Sequence, residues 1–316
     1  MDIAIATLSS PVILFFILGM AAAFARSHHT IPEPMSKGLS IYLMVAIGLK
    51  GGVAVSKSGF TPDLAAAAAA GVALSFALPF LAFAILTRFA RIDRVNAGAV
   101  AAHYGSVSVV TFVTAVEILE RQALAPAGYM VAVLALMETP AIITGLLLSR
   151  GGERDGSRGL WHEVLLNASV VLLIGSFAIG LATGAAGFAS TTLLFDGLFR
   201  GLLCLFLLDM GLVAGRRLIE TRALTARAAA SAILLPIVNG AIGTVLGTAI
   251  GLGTGSAAAL GILAASASYI AVPAAMRLAL PKADPGLSLS MSLGVTFPFN
   301  IIAGIPLFTM LARAIG

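Results

Sequence analysis

Charged residues and prolines divide the chain into ten long apolar stretches, and this division restricts the fold more than any other feature. A helix needs about 20 apolar residues to cross the hydrocarbon core of a membrane. The stretches are apolar on every face rather than alternately polar and apolar, which predicts helices rather than strands. They lie at residues 9–25, 38–56, 64–87, 96–116, 127–149, 163–186, 198–215, 228–251, 256–276 and 287–312.

The composition excludes a soluble globular protein. Of 316 residues, 59% are hydrophobic and 10% are charged, whereas soluble domains carry about 25% charged residues. The 34 glycines favour helices that approach one another closely in lipid. The first stretch lacks a basic flank and a small-residue cleavage site, so we interpret it as a helix rather than a signal peptide. Cys204 is the single cysteine, which excludes an internal disulfide.

The distribution of Lys and Arg predicts the orientation. Loops on one side of the predicted bundle hold fourteen of these residues, including Arg88, Arg91 and Arg94. Loops on the other side hold four, which are Lys57, Arg121, Arg200 and Arg313. Because basic loops stay in the cytoplasm, we expect a protein of the cytoplasmic (inner) membrane with both termini outside. The net charge of +5 then reflects membrane topology and does not require a nucleic-acid partner.

Similar patterns recur in the two halves of the chain. Gly48 and Gly52 match Gly211 and Gly215 at an offset of 163 residues, and Ser108 falls on Ser266 at an offset of 158. We therefore predict two five-helix repeats, residues 1–152 and 153–316. An odd number of helices inverts the second repeat in the membrane, as in many secondary transporters. The predicted fold is an all-α integral membrane protein with ten transmembrane helices as a 5+5 inverted repeat.

The fourth and ninth helices are predicted to be interrupted at mid-membrane. Small and hydroxylated residues fill both His103–Thr111 and Ala265–Pro273, and Ser and Thr are favoured helix N-caps. In each case a second half-helix would begin at the membrane centre, so two positive helix ends would converge there. Ser108 and Ser266 would add hydroxyl hydrogen bonds, and the site would suit a small anion. The alternative is a packing seam, since small residues are common between membrane helices.

Three ionisable residues, Lys50, Glu138 and Asp209, lie inside apolar stretches. A charge at the centre of a membrane helix costs about 2.5–3.5 kcal/mol on insertion scales, so such residues need a partner or a function. Glu138 lies just before Pro140, after the first interrupted helix, and is a candidate ligand of a coupling ion. Lys50 and Asp209 are more easily interpreted as members of interhelical pairs.

Other polar residues leave two interpretations open. His103 could relay protons or could simply be hydrogen-bonded within the bundle, and Asn300 could offer its carbonyl oxygen to a cation. The chain has no HExxH, GxSxG or P-loop motif. We therefore expect no enzymatic activity, no cofactor and no bound metal apart from a transported ion.

Several motifs along the chain carry a family resemblance. They are Ile31-Pro32-Glu33, Gly48 to Gly52, Gly105-Ser106-Val107-Ser108, Met137-Glu138-Thr139-Pro140-Ala141, Leu198-Phe199-Arg200-Gly201-Leu202-Leu203, Met210-Gly211, Ala264-Ala265-Ser266-Ala267-Ser268, Pro273 and Gly304-Ile305-Pro306-Leu307-Phe308. Through them the chain resembles the SbtA-type sodium-dependent bicarbonate transporters along nearly its whole length.

The resemblance implies a homotrimer in which a core domain moves against a gate domain, with helices of both repeats in each. It implies import of bicarbonate, with sodium as the coupling ion, by this elevator-type movement. Bicarbonate would lie between the two interrupted helices, with Ser106, Ser108 and Thr111 opposite Ser266 and Ser268. Alternatives are a sodium- or proton-coupled carrier of another small anion or carboxylate, an uncoupled anion channel and a membrane scaffold.

The chain departs from this family at three places. Tyr269 stands where the relatives have Asp, and Val110 stands where they have Ser. The coupling ion would then depend on Glu138, Tyr269 and Asn300, and we expect weaker sodium dependence than in relatives with Asp, unless Glu138 or backbone carbonyls compensate. The loop from Arg150 to about His162 is short, whereas the longer loop of the relatives associates with a PII-like cytoplasmic regulator.

Overall fold

The computed structural model describes residues 10–26, 31–150, 168–220, 224–269 and 271–316. Every regular element in these ranges is a helix and none is a strand, which confirms the all-α prediction. The helices are α1 (Pro11–Phe24), α2 (Glu33–Ser58), α3 (Pro62–Arg88), α4 (Arg94–Gly105), α5 (Val109–Arg121), α6 (Met130–Arg150), α7 (Ala168–Ala189), α8 (Phe199–Glu220), α9 (Ala226–Ala249), α10 (Thr254–Ala265), α11 (Ala271–Ala279) and α12 (Pro285–Ile315). Helix α12 contains π-helical turns at Ser290–Thr296 and Asn300–Gly304.

Within the described ranges, seven helical segments are long and apolar enough to cross a membrane, and one of them, Arg94–Arg121, comprises α4 and α5 together. They indicate a multi-pass membrane protein. Three of the ten predicted spans are not among the seven. Helices α1 and α10 have only 14 and 12 residues. Helix α8 is continuous, but its sequence contains the charged residues Arg200, Asp209, Arg216 and Arg217. The count of ten spans therefore stays a prediction.

Glycines bring α1 against α8 and α2 against α7. A Cβ added to Gly19 would meet the backbone of α8, and one added to Gly211 would meet the backbone of α1. A Cβ added to Gly48 or Gly52 of α2 would likewise meet the backbone of α7. Helices in lipid gain packing energy from such close approach. The glycines that the sequence repeat aligns thus make the same kind of contact in two different helix pairs.

The other helices, α3–α6 and α9–α12, pack mainly on one another. Small residues again form the closest contacts, with Gly98 of α4 against Ser149 of α6 and Gly243 of α9 against Ala264 of α10. We call α1, α2, α7 and α8 the four-helix group and the remaining helices the eight-helix group. All residues predicted to bind the anion or the coupling ion belong to the eight-helix group.

Candidate functional site

The chain leaves helical geometry between α4 and α5. The backbone is extended at Ser106 (φ −85°, ψ −177°) and at Ser108 (φ −111°, ψ 111°). Ser108 Oγ accepts hydrogen bonds from Thr111 N at 3.2 Å and from Thr111 Oγ1 at 3.0 Å, which caps the first turn of α5. The N–H groups of Val109 and Val110 precede the first helical hydrogen bonds and have no helical acceptor. We call residues 106–108 the first break.

A second break, residues 266–269, follows α10. Ser266 is extended (φ −78°, ψ 162°), and Ser268 Oγ accepts a hydrogen bond from Val272 N at 3.3 Å in the first turn of α11. Pro273 follows in the same turn, where a missing N–H costs nothing. The second break is buried as completely as the first.

The two breaks touch each other. Ser268 N donates to the carbonyl oxygen of His103 at 2.9 Å, and His103 Nδ1 lies 2.5 Å from the carbonyl oxygen of Ser268. Ser108 N donates to Ser266 Oγ at 2.9 Å, and Ser266 Oγ in turn donates to the carbonyl oxygen of Leu263 at 2.7 Å. The structure therefore brings together the two segments that the sequence repeat aligns.

The first break presents hydrogen-bond donors in a region of positive potential. The N-termini of α5 and α11 both lie at the crossing, and a helix N-terminus carries a partial positive charge. Ser106 Oγ is buried and has no hydrogen-bond partner in the described part of the chain. Together with the N–H groups of Val109 and Val110 it forms a donor set that suits a small anion.

Two of the three residues predicted to bind a coupling ion have a buried oxygen without a partner among the described residues, Glu138 Oε2 and Asn300 Oδ1. Tyr269 Oη is also buried and makes no well-aligned hydrogen bond there, but it interacts with the side chain of Ser108. Asn300 Nδ2 donates to the carbonyl oxygen of Ala265 at 2.8 Å, so the amide oxygen points away from α10. Carboxylate, hydroxyl and amide oxygens are the ligands that hard cations prefer. The donor chemistry fits a sodium ion.

The register of α6 places Glu138 beside the first break. Gly145 packs on Ala102 of α4, and Ala141 lies next to Gly105, the last residue of α4. Residues three or four apart share a helix face, so Glu138 continues this face by one turn beyond Gly105. The carboxyl group therefore lies at the level where the chain has left helical geometry.

Ser75 was not predicted as part of this region. Its hydroxyl donates to the carbonyl oxygen of Met137 at 2.6 Å and accepts from Ala141 N at 3.1 Å. The hydroxyl thus takes the place of the helical hydrogen bond that would join these two groups beside Pro140. It holds open the turn of α6 that carries Glu138. The sequence gives no local signal for this contact, because Ser75 is 62 residues away from Met137.

A second unpredicted cluster joins Tyr104 to α12. Tyr104 Oη and Thr296 Oγ1 are 2.6 Å apart, and Thr296 Oγ1 lies 2.6 Å from the carbonyl oxygen of Ala232. Thr296 precedes Pro298 by two residues, as Glu138 precedes Pro140. The 158-residue offset aligns these pairs and could have identified Thr296 from the sequence.

The other ionisable residues of the apolar stretches have partners in the four-helix group. Lys50 Nζ donates to Asp196 Oδ1 at 2.8 Å, and Asp209 accepts a hydrogen bond from the Ser36 hydroxyl.

Glu117, which was not predicted as a special residue, is buried in α5 and pairs with Arg121 Nε at 2.9 Å and with Arg200. A carboxylate four residues before an arginine is the sequence signal for the first of these pairs.

Comparison with curated proteins gave no match. The family model described as the Na⁺-dependent bicarbonate transporter superfamily matches residues 11–313, nearly the whole chain. This match confirms the resemblance that the motifs indicated, and it makes the protein a transporter rather than an enzyme. The chain belongs to the Na⁺-dependent bicarbonate transporter superfamily.

Proposed function

We propose that the protein is a secondary active transporter that imports bicarbonate together with sodium. The observation that carries the proposal is the meeting of the two breaks, where the N-termini of α5 and α11 and the unpartnered hydroxyl of Ser106 lie together. Small anions bind at helix N-termini through N–H groups and the helix dipole. In this proposal Ser106 donates to the anion, and Ser108, Thr111, Ser266 and Ser268 complete the site by shaping the two breaks around it.

The coupling ion in this proposal is held by Glu138, Tyr269 and Asn300. Glu138 and Asn300 each contribute a buried oxygen that has no hydrogen bond within the described residues, and Tyr269 contributes a buried hydroxyl. A bound cation would satisfy these oxygens and would offset the negative charge of the anion. Sodium therefore binds better when the anion is present, which is the basis of coupling.

We further propose ten crossings in two inverted repeats. Pairing α4 with α5, and α10 with α11, as single interrupted spans gives five spans in residues 1–152 and five in residues 153–316. The equivalent roles of Gly48 and Gly211 in helix packing support this arrangement. The proposed orientation in the inner membrane has the more basic loops in the cytoplasm and both termini outside, and the distribution of Lys and Arg along the sequence supports it.

The proposed transport movement is a displacement of the eight-helix group, as the core domain, against the four-helix group, as the gate domain. All proposed ligands of the anion and of the cation lie in the eight-helix group, so one movement would carry both. Phe16 of α1 meets Phe297 of α12 edge-to-face across the boundary, with ring centroids 5.3 Å apart. This apolar contact has no directional bond, whereas the ion pair between Glu117 of α5 and Arg200 of α8 also crosses the boundary and would have to break or exchange during the movement.

Two assembly proposals accompany this function. The gate domains would form the centre of a homotrimer, since they stay fixed while the core domains move. A PII-like cytoplasmic regulator would contact the loop from Arg150 to about His162, of which residues 151–162 lie outside the described residues.

Uptake of radiolabelled bicarbonate into proteoliposomes tests the proposed function. We expect saturable uptake that an inward sodium gradient stimulates and that a proton gradient of the same size does not. A variant with Ser176→Ala serves as a matched control, because this buried serine bonds within α7 of the four-helix group. Uptake that follows the proton gradient would indicate a proton-coupled carrier, and unsaturable flux without any gradient effect would indicate a channel.

A further inference from the structure

His103 lies in the last turn of α4 and makes a two-point connection to the second break. Its carbonyl oxygen accepts from Ser268 N at 2.9 Å, and its ring nitrogen Nδ1 lies 2.5 Å from the carbonyl oxygen of Ser268. The side chain is 1% exposed. Two hydrogen bonds between the same pair of residues fix both their distance and their relative orientation.

The partner of Nδ1 determines the tautomer. A carbonyl oxygen can only accept, so Nδ1 carries the proton and donates it, and Nε2 is left as an acceptor. The ring borders a small cavity that is also lined by Pro273, Met276, Asp284 and Ser288. The Nδ1–H group donates to a backbone carbonyl oxygen, which cannot transfer the proton to another group. Any proton transfer by the ring would therefore have to occur at Nε2.

In the part of the second repeat that the structure describes, no histidine stands at the position equivalent to His103. The 158-residue offset aligns His103 with Gly261, which packs against Thr244 of α9 and has no side chain. The same offset aligns Ser268 with Val110. The last turn of α10, residues 262–265, carries only apolar side chains, so among the described residues the second repeat reaches the first break through Ser266 Oγ rather than through a ring donor.

From this geometry we propose that His103 is a positioning residue of the anion site. It fixes the N-terminus of α11 relative to that of α5 by holding Ser268, which caps the first turn of α11. The inference rests on the proposed function, because it assigns the geometry of the same site. His103 acts through Ser268 and does not touch the anion.

Two substitutions at His103 distinguish hydrogen-bond donation by the side chain from its ability to gain and lose a proton. His103→Asn keeps an amide N–H that can donate to the carbonyl of Ser268, whereas His103→Leu fills similar space without a donor. A neutral hydrogen bond contributes enough for a change of about three- to tenfold in binding. We expect His103→Leu to raise the KM for bicarbonate by this factor with kcat nearly unchanged, and His103→Asn to keep the wild-type KM.

Other roles of His103 predict different results. A proton relay requires a titrating group, so Asn and Leu would abolish transport equally and overturn the proposal. A purely structural role would lower the melting temperature of His103→Leu and leave its KM at the wild-type value, which would also overturn it.

A second measurement does not depend on the substrate. Amide hydrogen exchange of the purified protein should increase over residues 266–275 in His103→Leu and return to the wild-type level in His103→Asn, with no change over residues 254–262. Unchanged exchange in His103→Leu would overturn the positioning role. Absence of bicarbonate uptake by the wild-type protein would instead refute the proposed function, and the exchange data would still decide whether His103 holds the second break.

Discussion

The two breaks occupy equivalent positions in the repeat but use their serines differently. Ser108 and Ser266 are aligned, yet Ser108 Oγ caps α5 whereas Ser266 Oγ links Ser108 N to the carbonyl oxygen of Leu263. Ser106 Oγ, by contrast, has no partner among the described residues. An internal repeat therefore indicates where a site lies without assigning the same role to its two halves.

The difference extends to the backbone donors. At the first break the N–H groups of Val109 and Val110 precede the capped turn. At the second break Val272 N is already bonded to Ser268 Oγ, and Pro273 has no N–H. We therefore expect the first break to supply most of the hydrogen bonds to the anion, and the second break to hold the first in place.

The largest effect is expected from a negative charge at the first break. Asp and Asn are both good N-caps, so Ser108→Asp and Ser108→Asn should both fold and insert. Ser108→Asp should abolish uptake, because its carboxylate repels the anion from the positive helix ends, and Ser108→Asn should retain it. Equal uptake by the two variants, measured in proteoliposomes, would show that the anion binds elsewhere.

Removing the Ser106 hydroxyl should weaken binding without weakening the fold. A hydrogen bond to a charged group contributes about 1.5–3 kcal/mol, so Ser106→Ala should raise the KM for bicarbonate about ten- to a hundredfold. Its melting temperature should stay close to that of the wild-type protein, since the hydroxyl has no partner among the residues that the structure describes.

Ser266→Ala should behave in the opposite way. It removes two hydrogen bonds within the protein, so it should lower the melting temperature and raise KM less than Ser106→Ala does. The reverse order of the two KM values would contradict the assignment of roles to the two breaks.

Tyr269 gives the second break a weaker cation ligand than a carboxylate. Tyr269→Asp should therefore lower the sodium concentration for half-maximal uptake, and Tyr269→Phe should raise it slightly. The Phe variant keeps the edge-to-face contact with Phe297, whose ring centroid is 5.2 Å away, and so controls for packing. Sodium dependence that Tyr269→Asp leaves unchanged would remove Tyr269 from the coupling site.

The smallest effect is expected at Ser268. Its hydroxyl caps α11 through one bond of 3.3 Å, and loss of an N-cap costs about 1 kcal/mol of stability. Ser268→Ala should show this loss in denaturant or thermal unfolding, with KM changed by less than about threefold. A tenfold increase in KM would mean that the second break also binds the anion directly.

Hydropathy predicted the helical class, and spacing directed attention to the two segments that meet around Ser108 and Ser266. Ser108 and Ser266 could be matched because Ser is an N-cap and because the 158-residue offset joins them. The contacts of Ser75 and His103 could not be predicted, since they join residues distant in the sequence and depend on how the helices pack. For the same reason the sequence could not show that Ser266 is engaged within the protein while Ser106 is not.

The unequal roles of the two breaks are tested most directly by amide hydrogen exchange at single-residue resolution, with and without bicarbonate. An anion bound at the first break should slow exchange at Val109 and Val110 and leave exchange at Ala271 and Val272 unchanged. Half of the maximal slowing should be reached at a bicarbonate concentration equal to KM. Slowing at Ala271 and Val272 alone, or equal slowing at both breaks, would contradict this account.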